Sequence, residues 1–92
     1  MRRKTYKIDA ACFTSRKDTH LYLKKVFKNC EYYGNSLDAL HDVLTSMMRP
    51  TNIKISNFAK ARELLGEYSD SVLAVFNDSA RQNENLNITF EE

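Results

Sequence analysis

Apolar residues recur along this chain at two alternating periods, and the switches between them mark out its elements. Thr5 to Ala10 alternates, with Tyr6 and Ile8 on one side, and predicts a first strand led by the solvated Arg2, Arg3 and Lys4. Cys12 and Phe13 either extend that strand or form the turn after it. Ser15, with Asp18 three residues on, has the form of a capping box, and Thr19, Leu23, Val26 and Phe27 then line one side of a helix, flanked by Tyr22. A second helix follows the loop Glu31-Tyr32-Tyr33-Gly34 and a cap at Asn35 or Ser36. Projected at about 100° per residue, Leu37, Leu40, Val43, Leu44, Met47 and Met48 share its inner side with His41 at the margin, while Asp38, Asp42 and Thr45 lie outward.

Pro50 breaks this pattern, and Thr51 to Ser56, alternating Ile53 and Ile55 with polar residues, predicts a second strand. Asn57 is the expected cap of a short helix through Phe58, Ala61, Leu64 and Leu65, which Gly66 stops. Ser69 or Asp70 then opens a last helix whose Val72, Leu73, Val75, Phe76 and Ala80 face inward. Its pattern fades across residues 81–85, and Asn87 to Phe90 reads as a closing strand. Strands separated by helical segments pair in parallel, because a parallel crossover needs a dozen or more residues, so the expected class is α/β. No repeat, low-complexity tract or linker interrupts residues 1–92, which are expected to form a single domain.

Composition narrows this picture. A chain of 92 residues can bury roughly 60 to 70% of its unfolded surface, enough for one core. With 28% charged and 42% hydrophobic residues, two glycines and one proline, it has the make-up of an ordered globular protein. Cys12 and Cys30 lack the spacing of a metal knuckle or a redox pair and are expected as free thiols. No apolar run approaches the roughly 18 residues of a membrane span, and the basic start is not followed by the apolar segment of a secretory signal. A cytoplasmic protein without membrane contact is expected.

For catalysis the chain offers only His20 and His41, neither within a recognisable motif. His41 and Asp42 are adjacent on a helix, point about 100° apart and do not readily hydrogen-bond, which suits a packing or interface-rim histidine better than half of an acid/base pair. A glycine-rich phosphate loop and calcium-loop spacing are both missing, so no cofactor, nucleotide or metal is expected and the chain is read as a non-enzyme. Asp38 and Asp42 stand one turn apart, and their repulsion opposes the helix by about 0.2 to 0.5 kcal/mol. Asp38 recovers some of this from the positive end of the helix dipole, whereas Asp42 lies too deep. The pair is either a solvated acidic face or, beside two tyrosines on a glycine-bearing loop, part of a recognition surface. Lys17, Lys24, Lys25 and Lys28 of the first helix are read as a solvated face.

Glu31-Tyr32-Tyr33-Gly34, then Leu37-Asp38-Ala39-Leu40, Asp42 and Leu44-Thr45, resemble the signature of the barstar family of ribonuclease inhibitors. Downstream, Ser71 to Phe76 with Asp78 resemble that family's last helix, and Asn87 to Thr89 its closing strand; Phe58 matches a helix start, and His20, Leu23, Lys24 and Lys25 fit the first helix. The resemblance covers nearly the whole chain. It implies a three-stranded parallel β-sheet packed against about four helices, and an intracellular inhibitor that plugs the active site of a guanyl-specific, barnase-like ribonuclease in a one-to-one complex of two monomers. By that resemblance Asp42 replaces phosphate oxygens in the cationic active site, Asp38 and Asp78 supplement its field, and Tyr32 packs on the enzyme's active-site face. Tyr33, Gly34, Ser36, Leu37, His41 and Thr45 complete the implied partner-binding set.

The departures are specific. Where the family's best-known member has tryptophan before the key aspartate, this chain has His41, and Met47 and Met48 replace a further aromatic. Arg49 stands near the position of a family acid. The formal charge of +2 contrasts with an acidic family member and weakens long-range steering toward a basic nuclease unless the acids form a local patch. Two other readings remain open: the same fold serving as an immunity or interaction module for a different protein, and an RNA-associated module using Arg2, Arg3, Lys4 and the lysines of the first helix.

Overall fold

The computed structural model describes residues 4–28 and 36–92. Strand β1 spans Lys4–Asp9 and runs into a single 3-10 turn at Ala10–Cys12, so Cys12 and Phe13 turn the chain rather than extend the strand. The Asp9 carboxylate drives that turn by accepting from the Ala11 amide at 3.0 Å. Helix α1 covers Arg16–Val26, and the Ser15 hydroxyl accepts from the Asp18 amide at 3.0 Å, as the capping pattern predicts. Tyr22 anchors α1 to the sheet: its hydroxyl accepts from the Asp9 amide at 2.8 Å.

Helix α2, Leu37–Thr45, is followed by β2, Thr51–Ser56, then α3, Phe58–Leu65, α4, Glu67–Gln82, and β3, Leu86–Phe90. The strands form one parallel sheet in the order β1-β2-β3, as expected. Strand β2 is central, and its alternation follows from that place. Thr51, Ile53 and Ile55 are buried under the helices, whereas Lys54 projects from the opposite face in register with Lys7 and Thr89. That second face, with Thr5 and Asn87, is polar and exposed. The core between sheet and helices holds Ile8, Phe13, Leu23, Phe27, Leu40, Leu44, Ile53, Ile55, Phe58, Val72 and Phe76, all at most 1% exposed. Edge-to-face ring pairs knit it together, Tyr6 on Phe27 at 4.9 Å and Phe58 on Phe90 at 5.5 Å.

Three local expectations are corrected. Asn57 does not cap α3 through its side chain. Its backbone is left-handed, at φ 58° and ψ 37°, and its side-chain amide donates to Asp9 Oδ1 at 2.9 Å, tying the ends of β1 and β2 together. Helix α4 starts at Glu67 rather than at Ser69 or Asp70, because Gly66 turns the corner from α3 with φ 58° and ψ −130°, a conformation that glycine alone adopts readily. Ser69 then lies inside the first turn, its hydroxyl donating to the Gly66 carbonyl at 2.7 Å. Met48, assigned to the inner face of the second helix, is 89% exposed, because α2 ends at Thr45 and the helical projection lapses beyond it.

Candidate functional site

Helix α2 divides as its periodicity requires. Leu40, Val43 and Leu44 are buried, and Leu37 and Met47 pack at the edge of the core. Asp38 and Asp42 are exposed, with His41 half-buried between them. Ser36 is the cap, accepting from the Ala39 amide at 3.1 Å. This leaves Asp38 in the first turn, where the helix dipole favours a carboxylate, and Asp42 beyond its reach. Thr45, expected to face outward, is half-buried, and its hydroxyl donates to the His41 carbonyl at 2.8 Å, so it is satisfied within its own helix. Tyr32, Tyr33 and Gly34, with Glu31 and Cys30, lie outside the described residues.

What holds this face in position comes from α4. Asn83, at the end of α4 and 8% exposed, donates from its side-chain amide to the carbonyls of Leu44 at 3.0 Å and Met47 at 2.9 Å. The Leu44 carbonyl is among the last of α2, which no amide of its own helix reaches, and the Met47 carbonyl lies two residues beyond the helix's end at Thr45. Asn85 adds a second donor to Met47, at 3.2 Å. At the other end of both helices, Tyr68 of α4 lines the same groove as Leu37 and Asp38 of α2. The two helices therefore run side by side in the same direction, and Asp78 of α4 falls between the two anchor points, as Asp42 does on α2. Asp78 is half-buried and forms an ion pair with Arg81 one turn along.

Basic groups border the acidic face. In the groove beside Asp38, the Arg16 guanidinium sits 4.5 Å from the centre of the Tyr68 ring, and the Tyr68 hydroxyl meets His20 Nε2 at 2.7 Å. Burial holds the His20 pKa below its ordinary value, which keeps the ring neutral at physiological pH and fits a packing role. Beyond α2, Arg49 is exposed. The sequence reading missed Asn83 and the Asp78–Arg81 pair. The pair is legible as an acid and a base three residues apart on a helix. Asn83 is not, since its partners lie 36 and 39 residues away. Among the described residues no cluster of His, Cys, Asp and Glu is arranged to hold a metal ion, Cys12 is a free thiol, and no helix is long and apolar enough to cross a membrane.

Comparison with known proteins adds to this geometry. The family model described as "Barstar (barnase inhibitor)" matches residues 3–91, the whole of the sheet and every helix around it. The chain belongs to the barstar family. It is also 34% identical over 76 residues to the Bacillus subtilis (strain 168) protein named "Putative ribonuclease inhibitor YrdF", a stretch covering 82% of this chain and 84% of that protein. Among the described residues, the three-stranded parallel sheet and four helices agree with the barstar-like architecture that the resemblance implies.

Proposed function

We propose that this barstar-family chain is a non-enzymatic protein inhibitor of a guanyl-specific, barnase-like ribonuclease, acting inside the cell and binding one-to-one through the outer face of α2. The observation that carries the reading is the position of Asp42. It is an exposed carboxylate in the body of a helix whose opposite side is locked into the core, and neither cap nor dipole accounts for it. A ribonuclease active site holds phosphate oxygens with cationic side chains. A carboxylate carried on a rigid helix enters such a site with little conformational entropy left to lose and replaces those oxygens with charge-assisted hydrogen bonds. Asp38 and Asp78 extend the field, and Ser36, Leu37, His41 and Thr45 position or border the inserted group. By the family resemblance, Tyr32, Tyr33 and Gly34 supply the aromatic side of the contact.

The test is titration calorimetry, with RNA-cleavage assays, against a panel of small guanyl-specific ribonucleases. One-to-one binding with loss of cleavage is expected, and Asp42→Ala should weaken it by about 2 to 5 kcal/mol, the usual cost of removing one member of a desolvated interfacial charge pair. Lys24→Ala, on the outer face of α1, should leave affinity within about 0.5 kcal/mol. Absence of binding across the panel at low salt would defeat the ribonuclease reading in favour of another protein partner. Submicromolar binding of short RNA at physiological salt would favour the nucleic-acid reading instead.

A further inference from the structure

One concavity joins the start of the recognition helix to the start of α1. A groove of about 460 Å³ is lined by Arg16 and Lys17 of α1, by Ser36, Leu37 and Asp38 of α2 and its cap, and by Tyr68 of α4. Ser36, Leu37 and Asp38 belong to the face assigned to the nuclease, so the groove continues that face. Its walls differ in charge, with a carboxylate on α2 and two cations on α1. Arg16 and Lys17 open α1, where the helix dipole opposes positive charge, so the helix itself does not account for them.

Arg16 is held in place from behind. Its guanidinium carbon lies 4.5 Å from the centre of the Tyr68 ring, and the Tyr68 hydroxyl meets Nε2 of His20, which is 2% exposed, at 2.7 Å. Burial pushes the Tyr68 hydroxyl up and the His20 imidazole down, so both are neutral at physiological pH and neither balances the guanidinium. Among the described residues Arg16 is in no ion pair. The Ser36 hydroxyl, which accepts from the Ala39 amide at 3.1 Å, keeps its own hydrogen to donate. A guanidinium seated on a ring has less rotamer freedom to lose on binding, and its fork of N–H groups matches a carboxylate.

We infer that, within the inhibitor reading on which this rests, Arg16 is a specificity-determining residue: the groove takes a carboxylate of the nuclease that stands beside the cation met by Asp38. Arg16 forks onto that carboxylate, Lys17 adds to the field, and Tyr68 and His20 position Arg16. The two charges of the groove decide its occupant. A phosphate of RNA would be drawn to Arg16 and Lys17 but opposed by Asp38 on the α2 wall. A nuclease surface that sets a carboxylate beside one of its cations satisfies both walls. Such alternation fixes the register of docking and penalises nucleases whose rim is basic throughout.

Calorimetric titration with the guanyl-specific ribonuclease that binds tightest in the panel compares the parent with Arg16→Gln, Arg16→Glu, Tyr68→Leu, the Arg16→Gln/Tyr68→Leu pair and Lys24→Gln. Arg16→Gln should lower affinity roughly ten- to a hundredfold, the usual loss when a hydrogen bond to a charged group is removed. Lys24→Gln should change it by less than about twofold. Arg16→Glu should lose more than Arg16→Gln, by a margin that narrows as salt rises. Tyr68→Leu should lower affinity in the parent and add little in the Arg16→Gln background, because it acts through Arg16; a tyrosine that only supported the fold would cost the same in both. The inference is overturned by a loss below about tenfold for Arg16→Gln, by equal losses for Arg16→Gln and Arg16→Glu, or by equal costs of Tyr68→Leu in the two backgrounds. A short RNA that binds the parent but not Arg16→Gln would put nucleic acid in the groove and overturn it as well. Each of the three nuclease results leaves the inhibitor reading intact wherever Asp42→Ala still weakens binding. If no ribonuclease in the panel binds, or Asp42→Ala has no effect on the one that does, the inhibitor reading fails and this inference with it.

Discussion

Replacing Asn83 with alanine tests whether the α2 face is held from α4. Three hydrogen bonds disappear: those to the carbonyls of Leu44 and Met47, and the one its Oδ1 accepts from the Asn85 amide at 3.1 Å. They do not cost the same. The Met47 carbonyl keeps Asn85 Nδ2 as a donor, and the Asn85 amide is close enough to the surface to find water, so each of these losses is worth about 0.5 to 1.5 kcal/mol. The bond to the Leu44 carbonyl is buried; without it, a carbonyl in the last turn of α2 is left without a donor, at about 1 to 3 kcal/mol. Together the loss should be about 2 to 6 kcal/mol. For a domain of this size that lowers the melting temperature by roughly 10 to 35 °C. Urea unfolding followed by circular dichroism measures it, and the midpoint should fall at an unchanged denaturant slope. Nuclease affinity should fall too, because the end of α2 would no longer be fixed. A loss below about 0.5 kcal/mol would show that water takes the place of the amide and that the clamp does not hold the face.

Gly66→Ala should cost about 1 to 3 kcal/mol although nothing lies within 4 Å of the added methyl, because φ of +58° with ψ near −130° is strained for any side chain; chemical denaturation yielding a neutral result would mean that the corner relaxes. His20 should make stability depend on pH. Its folded-state pKa lies below the ordinary 6.5, so its contribution is complete above about pH 6.5 and is lost as pH falls through the folded value. Parent stability should therefore decline between pH 7 and pH 5, and His20→Gln should flatten that decline; equal slopes for both proteins would show that the imidazole is not responsible.

Much of the fold was legible in the sequence because each element carries its own periodicity. Ile53 and Ile55 alternate because β2 is covered on one face, and Leu37, Leu40 and Leu44 recur because α2 is covered along one stripe. The cap at Ser15, the stop at Gly66, the parallel pairing and the outward Asp38 and Asp42 follow from rules acting over a few residues, or over the length of a crossover. The barstar-family motif then attached a function to that helix. The structure had to decide the features set by distant or backbone partners. Asn57 turned out to be a left-handed link to Asp9 rather than a cap, since its side chain found a carboxylate 48 residues away. Met48 left the inner stripe because α2 ended before reaching it, and Thr45 turned its hydroxyl back onto its own helix. Asn83 has no periodicity to give it away: its role exists only because α4 ends beside the carbonyl of Leu44 in the last turn of α2 and that of Met47 just after it. Local hydrogen-bonding and apolar patterns are written in neighbouring residues, whereas a buried amide is matched to its carbonyls only by packing that brings remote segments together.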